Sequence, residues 1–278
     1  MKTADKITNL VRTLSRADSF SACIIEGDPG WGKTTAVGDA LVRLNIDYVH
    51  LGSYATPLGL FNFLFQNSDA MILIDDTSGL FNNPQTMAIL KAATWEHPKR
   101  GRVIRWTSTT EKSDTDEFEF KGKIIIVCNS FPKTADAEAV RNRALDYAVE
   151  PSLAEARLLL SEAIQDKEKF KNQKIAEKVL ENLLPNLNEE TLKKTSYRTL
   201  QKMYEIALHN PDCWDQMLGK VAPSGGADPL KILKRLAKEK LKIKDQIKIF
   251  ETETGLKRRT FFKYRKSLEI RTRSRVRG

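Results

Sequence analysis

Residues 27–34 read Gly27-Asp28-Pro29-Gly30-Trp31-Gly32-Lys33-Thr34, which satisfies the phosphate-loop pattern G-x-x-x-x-G-K-[ST] without a mismatch. The loop follows the apolar run Ala22-Cys23-Ile24-Ile25, which reads as a buried strand. It precedes Ala36, Val37, Ala40, Leu41 and Leu44, which repeat at helical spacing. Strand, glycine-rich loop and helix stand in the order that phosphate binding needs. Glycines let backbone N–H groups curl around phosphate oxygens, and the positive end of the helix faces them. In this reading Lys33 reaches the β- and γ-phosphates of a nucleotide and the Thr34 hydroxyl ligates Mg²⁺, with Thr35 next in the same cradle.

The other landmarks are apolar runs that end in a polar residue. Met71-Ile72-Leu73-Ile74 leads into Asp75-Asp76, as in a buried parallel strand that must deliver a carboxylate to its C-terminal edge, where ligands bind in open α/β sheets. Asp75 would hold Mg²⁺ through water, and Asp76 would orient or activate an attacking water. Residues 123–130 repeat the device and place the Asn129 amide at the same edge. Residues 47–51 and 145–149 supply two further strands. Alternating runs at 102–106 and 118–120 predict a β-hairpin around a tip that carries Glu111, Asp114, Asp116 and Glu117 against Lys112. Helices are expected over 6–15, 57–66, 83–95 and 135–143, and then over 153–164, 174–184 and 200–208. The fold class that follows is α/β with a parallel sheet, then an all-helical segment.

Composition excludes several classes. The chain has no run of about 18 apolar residues and no basic leader into an apolar stretch, so a soluble, cytoplasmic protein with no membrane partner is expected. Cys23, Cys128 and Cys213 are far apart, as are His50, His97 and His209, so neither a disulfide framework nor a zinc motif is visible. The net charge of +10 is uneven: from residue 228 onward there are 18 Lys and Arg against 6 Asp and Glu, or +12, which leaves −2 for the rest. A polyanion, most simply nucleic acid, is the partner this implies for the C-terminal end.

Taken in order, these landmarks resemble the AAA+ ATPases, a branch of the P-loop NTPases, over residues 7–208. Residues 27–34 match the family's Walker A motif, Asp75 and Asp76 its Walker B, and Asn129 its sensor 1. Family members usually carry Asp-Glu in Walker B, so the shorter Asp76 bears on hydrolysis more than on binding. The resemblance implies ATP with Mg²⁺, a helical lid, and an arginine that reaches the γ-phosphate bound by a neighbouring subunit. Arg143 is the first choice for that arginine and Arg141 the second; Arg198 matches the sensor-2 turn of the lid. An arginine supplied by a neighbour implies a homo-oligomer, a ring or spiral of subunits and typically a hexamer. The hairpin is similar to the pre-sensor-1 insertion of several branches; its acidic tip suits a structural or subunit-contact role at least as well as a grip on DNA.

Beyond a Ser-Gly-Gly linker, residues 230–241 predict a Lys-rich amphipathic helix. Residues 245–254, Gly255-Leu256 and 257–268 then read as helix, turn, helix. Ile247 and Phe250 face Phe261, Tyr264 and Leu268, while Lys257, Arg258, Arg259, Lys263 and Lys266 form an outward basic face suited to DNA. Glu251 departs from the pattern, because a small residue is usual four positions before the turn glycine. A basic helical hairpin that contacts protein is the other reading of this segment. Arg271, Arg273, Arg275 and Arg277 form an alternating basic tail that would add salt-dependent phosphate contacts.

The expected domains are a nucleotide-binding core over 1–150, a helical lid over 151–210, a linker over 211–228, a basic helix-turn-helix-like domain over 229–270 and a tail over 271–278. The expected function is that of a DNA-associated AAA+ ATPase of replication: an initiator, helicase or helicase loader that works with another replication protein. The alternative is an ATP-gated DNA-binding regulator or transposition adaptor with slow hydrolysis. A metabolic nucleotide kinase would leave the lid and the basic end without a role.

Overall fold

The computed structural model describes residues 2–75, 77, 79–95, 97, 99–107, 113, 115–217, 229–237, 241–254, 258–262 and 264–266. The chain divides into two compact units, Met1–Glu150 and Pro151–Gly278. Among the described residues no helix is long and apolar enough to cross a membrane.

The first unit runs α1 (Thr3–Arg16), β1 (Ala22–Gly27), α2 (Lys33–Arg43), β2 (Tyr48–Gly52), α3 (Pro57–Gln66), β3 (Met71–Asp75) and α4 (Pro84–Thr94). The hairpin β4 (Val103–Arg105) and β5 (Glu117–Glu119) follows, and then β6 (Lys123–Cys128), α5 (Ala135–Arg141) and β7 (Ala144–Val149). Five parallel strands stand in the order β2-β3-β6-β1-β7. Each crossover needs a helix, because parallel neighbours cannot be joined by a tight turn. The result is an α/β fold built on a five-stranded parallel sheet.

The apolar runs are near-continuous because the sheet is covered on both faces. Ala22, Ile24, Ile72, Ile74, Ile124 and Ile126 share one buried cluster with Leu60, Phe61 and Leu64 of α3, Ile89 and Leu90 of α4, and Ala137 and Val140 of α5. Their alternates Cys23, Ile25, Leu73, Ile125 and Val127 are buried too. On the other side α1 packs on α2, β1 and β7. Lys123, at the start of β6, donates to the carbonyls of Leu14, Ser15 and Ala17 and so closes the C-terminal end of α1.

The hairpin is antiparallel, with Val103 opposite Glu119. It is docked on the core: Phe118 packs edge-on against Phe61 of α3 at 5.2 Å and against Phe65 at 5.4 Å, and Trp106 lies 5.9 Å from Phe61. Arg102 donates to the carbonyls of Ala93, Lys121 and Gly122, which ties the base of the hairpin to the end of α4. Of its expected tip, Glu111, Lys112 and Asp114 lie outside the described residues.

The second unit contains α6 (Leu153–Ala163), α7 (Gln173–Leu183), α8 (Glu189–Leu192), α9 (Tyr197–His209) and α10 (Trp214–Met217). A capping box between Ser152 and Glu155 starts α6. Tyr204 is buried against Phe170 and accepts the Asn172 N–H on its hydroxyl. Residues 211–217, expected as linker, are folded. Trp214 is buried beneath the Lys178 ammonium, since an indole in that position finds apolar surface that a linker would leave wet. The rest of the expected linker, residues 218–228, lies outside the described residues. The last described elements of the unit are α11 (Pro229–Leu236), α12 (Ile243–Thr254) and a helical stretch at 258–262 and 264–266.

Candidate functional site

The phosphate-loop pattern sits where the strand order reverses. β1 lies between β6 and β7, and the chain leaves it for β2 at the far edge; at such a switch point the C-terminal ends of the strands are where ligands bind in open α/β sheets. Across the sheet Asp75 pairs with Val127 and Glu26 with Cys128, which brings the ends of β3, β6 and β1 to nearly one level. Gly27 has φ 146° and lies so close to β7 that a Cβ there would overlap the Val149 carbonyl. Gly32, at φ 75°, is the left-handed residue that turns the chain into α2.

Lys33 opens α2 and is 6% exposed. Its ammonium donates to the Gly27 carbonyl at 2.6 Å, the Asp28 carbonyl at 2.9 Å and the Asn129 side-chain oxygen at 3.3 Å. The Thr34 hydroxyl donates to Asp75 Oδ1 at 3.1 Å. Three segments distant in sequence, the loop with the start of α2, the end of β3 and the end of β6, thus converge on one spot. Asp28, Pro29, Thr34, Thr35 and Asn129 are exposed there, whereas Trp31 is buried and anchors the loop from below. Asp76 lies outside the described residues.

The chemistry of this set is specific. A cation, the N–H groups at the start of an 11-residue helix and an amide suit a polyphosphate. The Thr34 hydroxyl and Asp75 carboxylate are hard oxygen donors at adjacent positions, which fits Mg²⁺ shared with phosphate and water. Among the described residues no group of three or more His, Cys, Asp or Glu forms a self-sufficient metal cage. Cys128, next to Asn129, keeps its proton, its pKa pushed up to about 12 by burial and then by the nearby Glu26 charge.

The two arginines offered for a trans contact have different surroundings. Arg141, the last residue of α5, donates to Glu26 at 2.9 and 3.2 Å and to Asp146 at 3.0 Å, and its guanidinium stacks over the Phe131 ring at 5.5 Å. Hydrogen bonding to Glu26 raises its pKa, against the effect of burial. Such an arginine is engaged within its own chain. Arg143, two residues on in the turn before β7, is partly exposed, and its guanidinium donates to the Lys91 carbonyl at 3.3 Å. Arg198 is exposed in the first turn of α9 in the second unit, so the expected sensor-2 turn is a helix start.

Glu26 went unremarked in the sequence, though a carboxylate that breaks an apolar strand one residue before a phosphate loop is a visible signal. It accepts Arg141 and, on Oε2, the Phe131 N–H at 3.0 Å. Burial would raise its pKa; Arg141 and the Phe131 N–H outweigh that and hold it below the ordinary carboxylate value.

At the C-terminal end Ile232, Leu233, Leu236, Ile247, Phe250 and Phe261 form a separate buried cluster, with Ile249 and Tyr264 against it. Phe250 meets Phe261 edge-on at 5.3 Å, so α12 and the last helix pack through the faces their spacing predicts. The departure at Glu251 has a local use: its carboxylate accepts the Arg258 backbone N–H at 2.8 Å at the start of the last helix. Arg258, Arg259 and Lys266 are exposed, Arg258 with its guanidinium 5.8 Å over the Phe262 ring. Lys257, Lys263, Leu268 and residues 271–278 lie outside the described residues.

No protein-family profile matches the chain, and no curated protein matches it in sequence. Solved structures with a similar backbone include a mutant of RuvB from Thermotoga maritima, 13% identical over 92% of this chain and 86% of that one, with a TM-score of 0.48. The Thermotoga maritima RuvB Holliday junction branch migration motor is 12% identical over 91% and 81%, with a TM-score of 0.46. Domain III of the replication initiation protein DnaA from Thermotoga maritima is 12% identical over 90% and 92%, with a TM-score of 0.43. Likeness at this level concerns the backbone course alone.

Proposed function

We propose that the chain is an ATP·Mg²⁺-hydrolysing, DNA-associated ATPase of AAA+ type that works as an oligomer, in replication or a related transaction on DNA. The observation that carries the reading is the convergence of Lys33, Thr34, Asp75 and Asn129 at the C-terminal edge of the sheet. Lys33 and the first N–H groups of α2 bind the β- and γ-phosphates. Thr34 and Asp75 hold Mg²⁺, which supplies charge neutralisation on the phosphate oxygens. Asn129 orients the attacking water or the γ-phosphate, and Asp76 accepts the proton of that water. Phosphoryl transfer needs little covalent help from the protein, so positioning and charge carry most of the rate.

Arg143 from a neighbouring subunit completes the site in this reading, because Arg141 is engaged at home. Residues 151–210 serve as the lid, with Arg198 as its phosphate sensor, and 229–270 bind DNA through Arg258, Arg259 and Lys266 together with Lys257 and Lys263. Residues 271–278 add phosphate contacts along the duplex.

A mixing experiment tests the shared site. Arg143→Ala retains a working phosphate loop and Lys33→Ala retains a working arginine, so each alone is inactive. Mixed in equal amounts in a ring of head-to-tail contacts, roughly a quarter of the interfaces pair an intact loop with an intact arginine, and turnover returns. Absence of recovery in mixtures shown to co-assemble would remove Arg143 from the site.

Asp76 favours a second reading, an ATP-gated regulator or transposition adaptor in which nucleotide controls assembly and hydrolysis is slow. Its side chain is one methylene shorter than the glutamate usual at that position, which bears on its reach as a base. Strand-unwinding assays separate the readings: unwinding with DNA-stimulated turnover supports a motor, and binding without either supports the switch.

A further inference from the structure

The Glu26 carboxylate is where three parts of the candidate site meet. Covalently it belongs to the end of β1, one residue before Gly27 and the phosphate loop. Its Oε2 accepts the Phe131 N–H, two residues beyond Asn129. Both its oxygens accept Arg141, two residues before Arg143. Phosphate loop, Asn129 loop and the turn that carries Arg143 therefore meet at one ion pair.

The geometry of the pair is restrictive. A two-pronged guanidinium–carboxylate contact sets angle as well as distance. The Glu26 and Arg141 side chains are only 23% and 18% exposed, so water and salt weaken the pair less than an ordinary surface contact. Phe131 stacks beneath the guanidinium, and Asp146 accepts from the same Nη1 that donates to Glu26, which leaves Arg141 little freedom to swing. Arg141 is thus a poor candidate to reach a neighbour and a good one to hold its own surroundings.

We propose that Glu26 and Arg141 are positioning residues: the pair keeps the phosphate loop, Asn129 and Arg143 in one register, so that a subunit's own nucleotide site and the arginine it offers onward shift together. This rests on the ATPase reading above. Misplacement of reacting groups by about 1 Å costs on the order of a hundredfold in rate, so a tie of this kind acts on turnover more than on nucleotide retention. A merely stabilising ion pair would lower thermal stability and leave the folded protein's kcat unchanged.

The test uses the full chain as wild type, Arg141→Met, Arg141→Lys and Glu26→Gln. Steady-state ATP turnover and amide hydrogen exchange are measured at a temperature where every variant is folded. Arg141→Met lowers kcat about tenfold with KM within about twofold. Arg141→Lys recovers part of the loss, because it keeps the charge without the fork. Exchange in Arg141→Met rises at 27–32 and 129–132 as well as in 135–146. An unchanged kcat, or an exchange increase confined to 135–146, overturns the proposal. Wild-type protein that hydrolyses no ATP contradicts the ATPase reading instead, and the exchange pattern then decides the coupling alone. If Arg141→Met does not fold, Glu26→Gln decides by the same two readouts.

Discussion

Replacing Lys33 by Ala is expected to abolish ATP turnover and to weaken ATP binding by roughly a hundredfold, about 3 kcal/mol. The side chain is nearly buried, and its ammonium already faces three oxygen acceptors at 2.6 to 3.3 Å. A phosphate brought to the start of α2 would lie against the same ammonium, in a pocket where a charge is worth more than in water. The substitution should leave the fold in place. Val37, Ala40 and Leu41, which anchor α2, are untouched, and the freed Asp28 carbonyl belongs to an exposed residue that water can reach. Titration with a fluorescent ATP analogue and a steady-state turnover assay measure both effects. ATPase activity equal to wild type would contradict the assignment of the loop.

A chain that ends at residue 227 is expected to keep nucleotide binding and lose most of its affinity for duplex DNA. The removed segment carries +12 of a total of +10, so the remainder is slightly acidic. Each phosphate neutralised by Lys or Arg contributes about 0.9 to the slope of log affinity against log salt. With Lys257, Arg258, Arg259, Lys263, Lys266 and part of the tail engaged, the full chain should show a slope of about −5 or steeper. The shortened chain should show nearly none. At about 0.1 M salt the affinities should differ at least about a hundredfold, as fluorescence anisotropy on a labelled duplex would show. The segment can be removed cleanly, because Ile232, Leu233, Leu236, Ile247, Phe250 and Phe261 bury one another in their own cluster. Unchanged DNA affinity would move the contact into residues 1–227.

The strand-loop-helix unit around Lys33 was legible because its constraints are local: glycines at backbone positions that need them, a lysine at the helix start and an apolar strand before it. The runs that end at Asp75 and Asn129 were legible for the same reason, as was the hairpin, whose strands alternate. What was not legible depends on contacts distant in the chain. Arg141 and Arg143 look alike in the sequence, yet one ends a helix beside Glu26, 115 positions away, while the other lies in a turn. Trp214 was read with its Pro- and Gly-rich neighbours as linker, and only the apolar surface it finds in the second unit explains why the chain folds back there. The aromatic docking of the hairpin on α3 likewise depends on Phe61 and Phe118, whose meeting no local pattern announces.

The hairpin illustrates how such contacts weigh on function. Its base is held by Phe118, Trp106 and Arg102, so β4 and β5 belong to the core rather than to a free arm. Asp116 and Glu117 at its described end are exposed and acidic, and Arg105 is paired with Glu117. The described end of the hairpin is therefore acidic, which does not suit DNA.

The measurement that bears most directly on the central claim is ATP hydrolysis by the purified wild-type chain, followed with and without Mg²⁺ and with and without duplex DNA, over a range of protein concentrations. A composite site at the sheet edge predicts turnover that stops when Mg²⁺ is chelated and increases with DNA. A site completed by a neighbour predicts a rate that climbs more steeply than protein concentration until assembly saturates. A chain that binds no ATP, or one whose turnover per subunit is independent of concentration, of Mg²⁺ and of DNA, would contradict it.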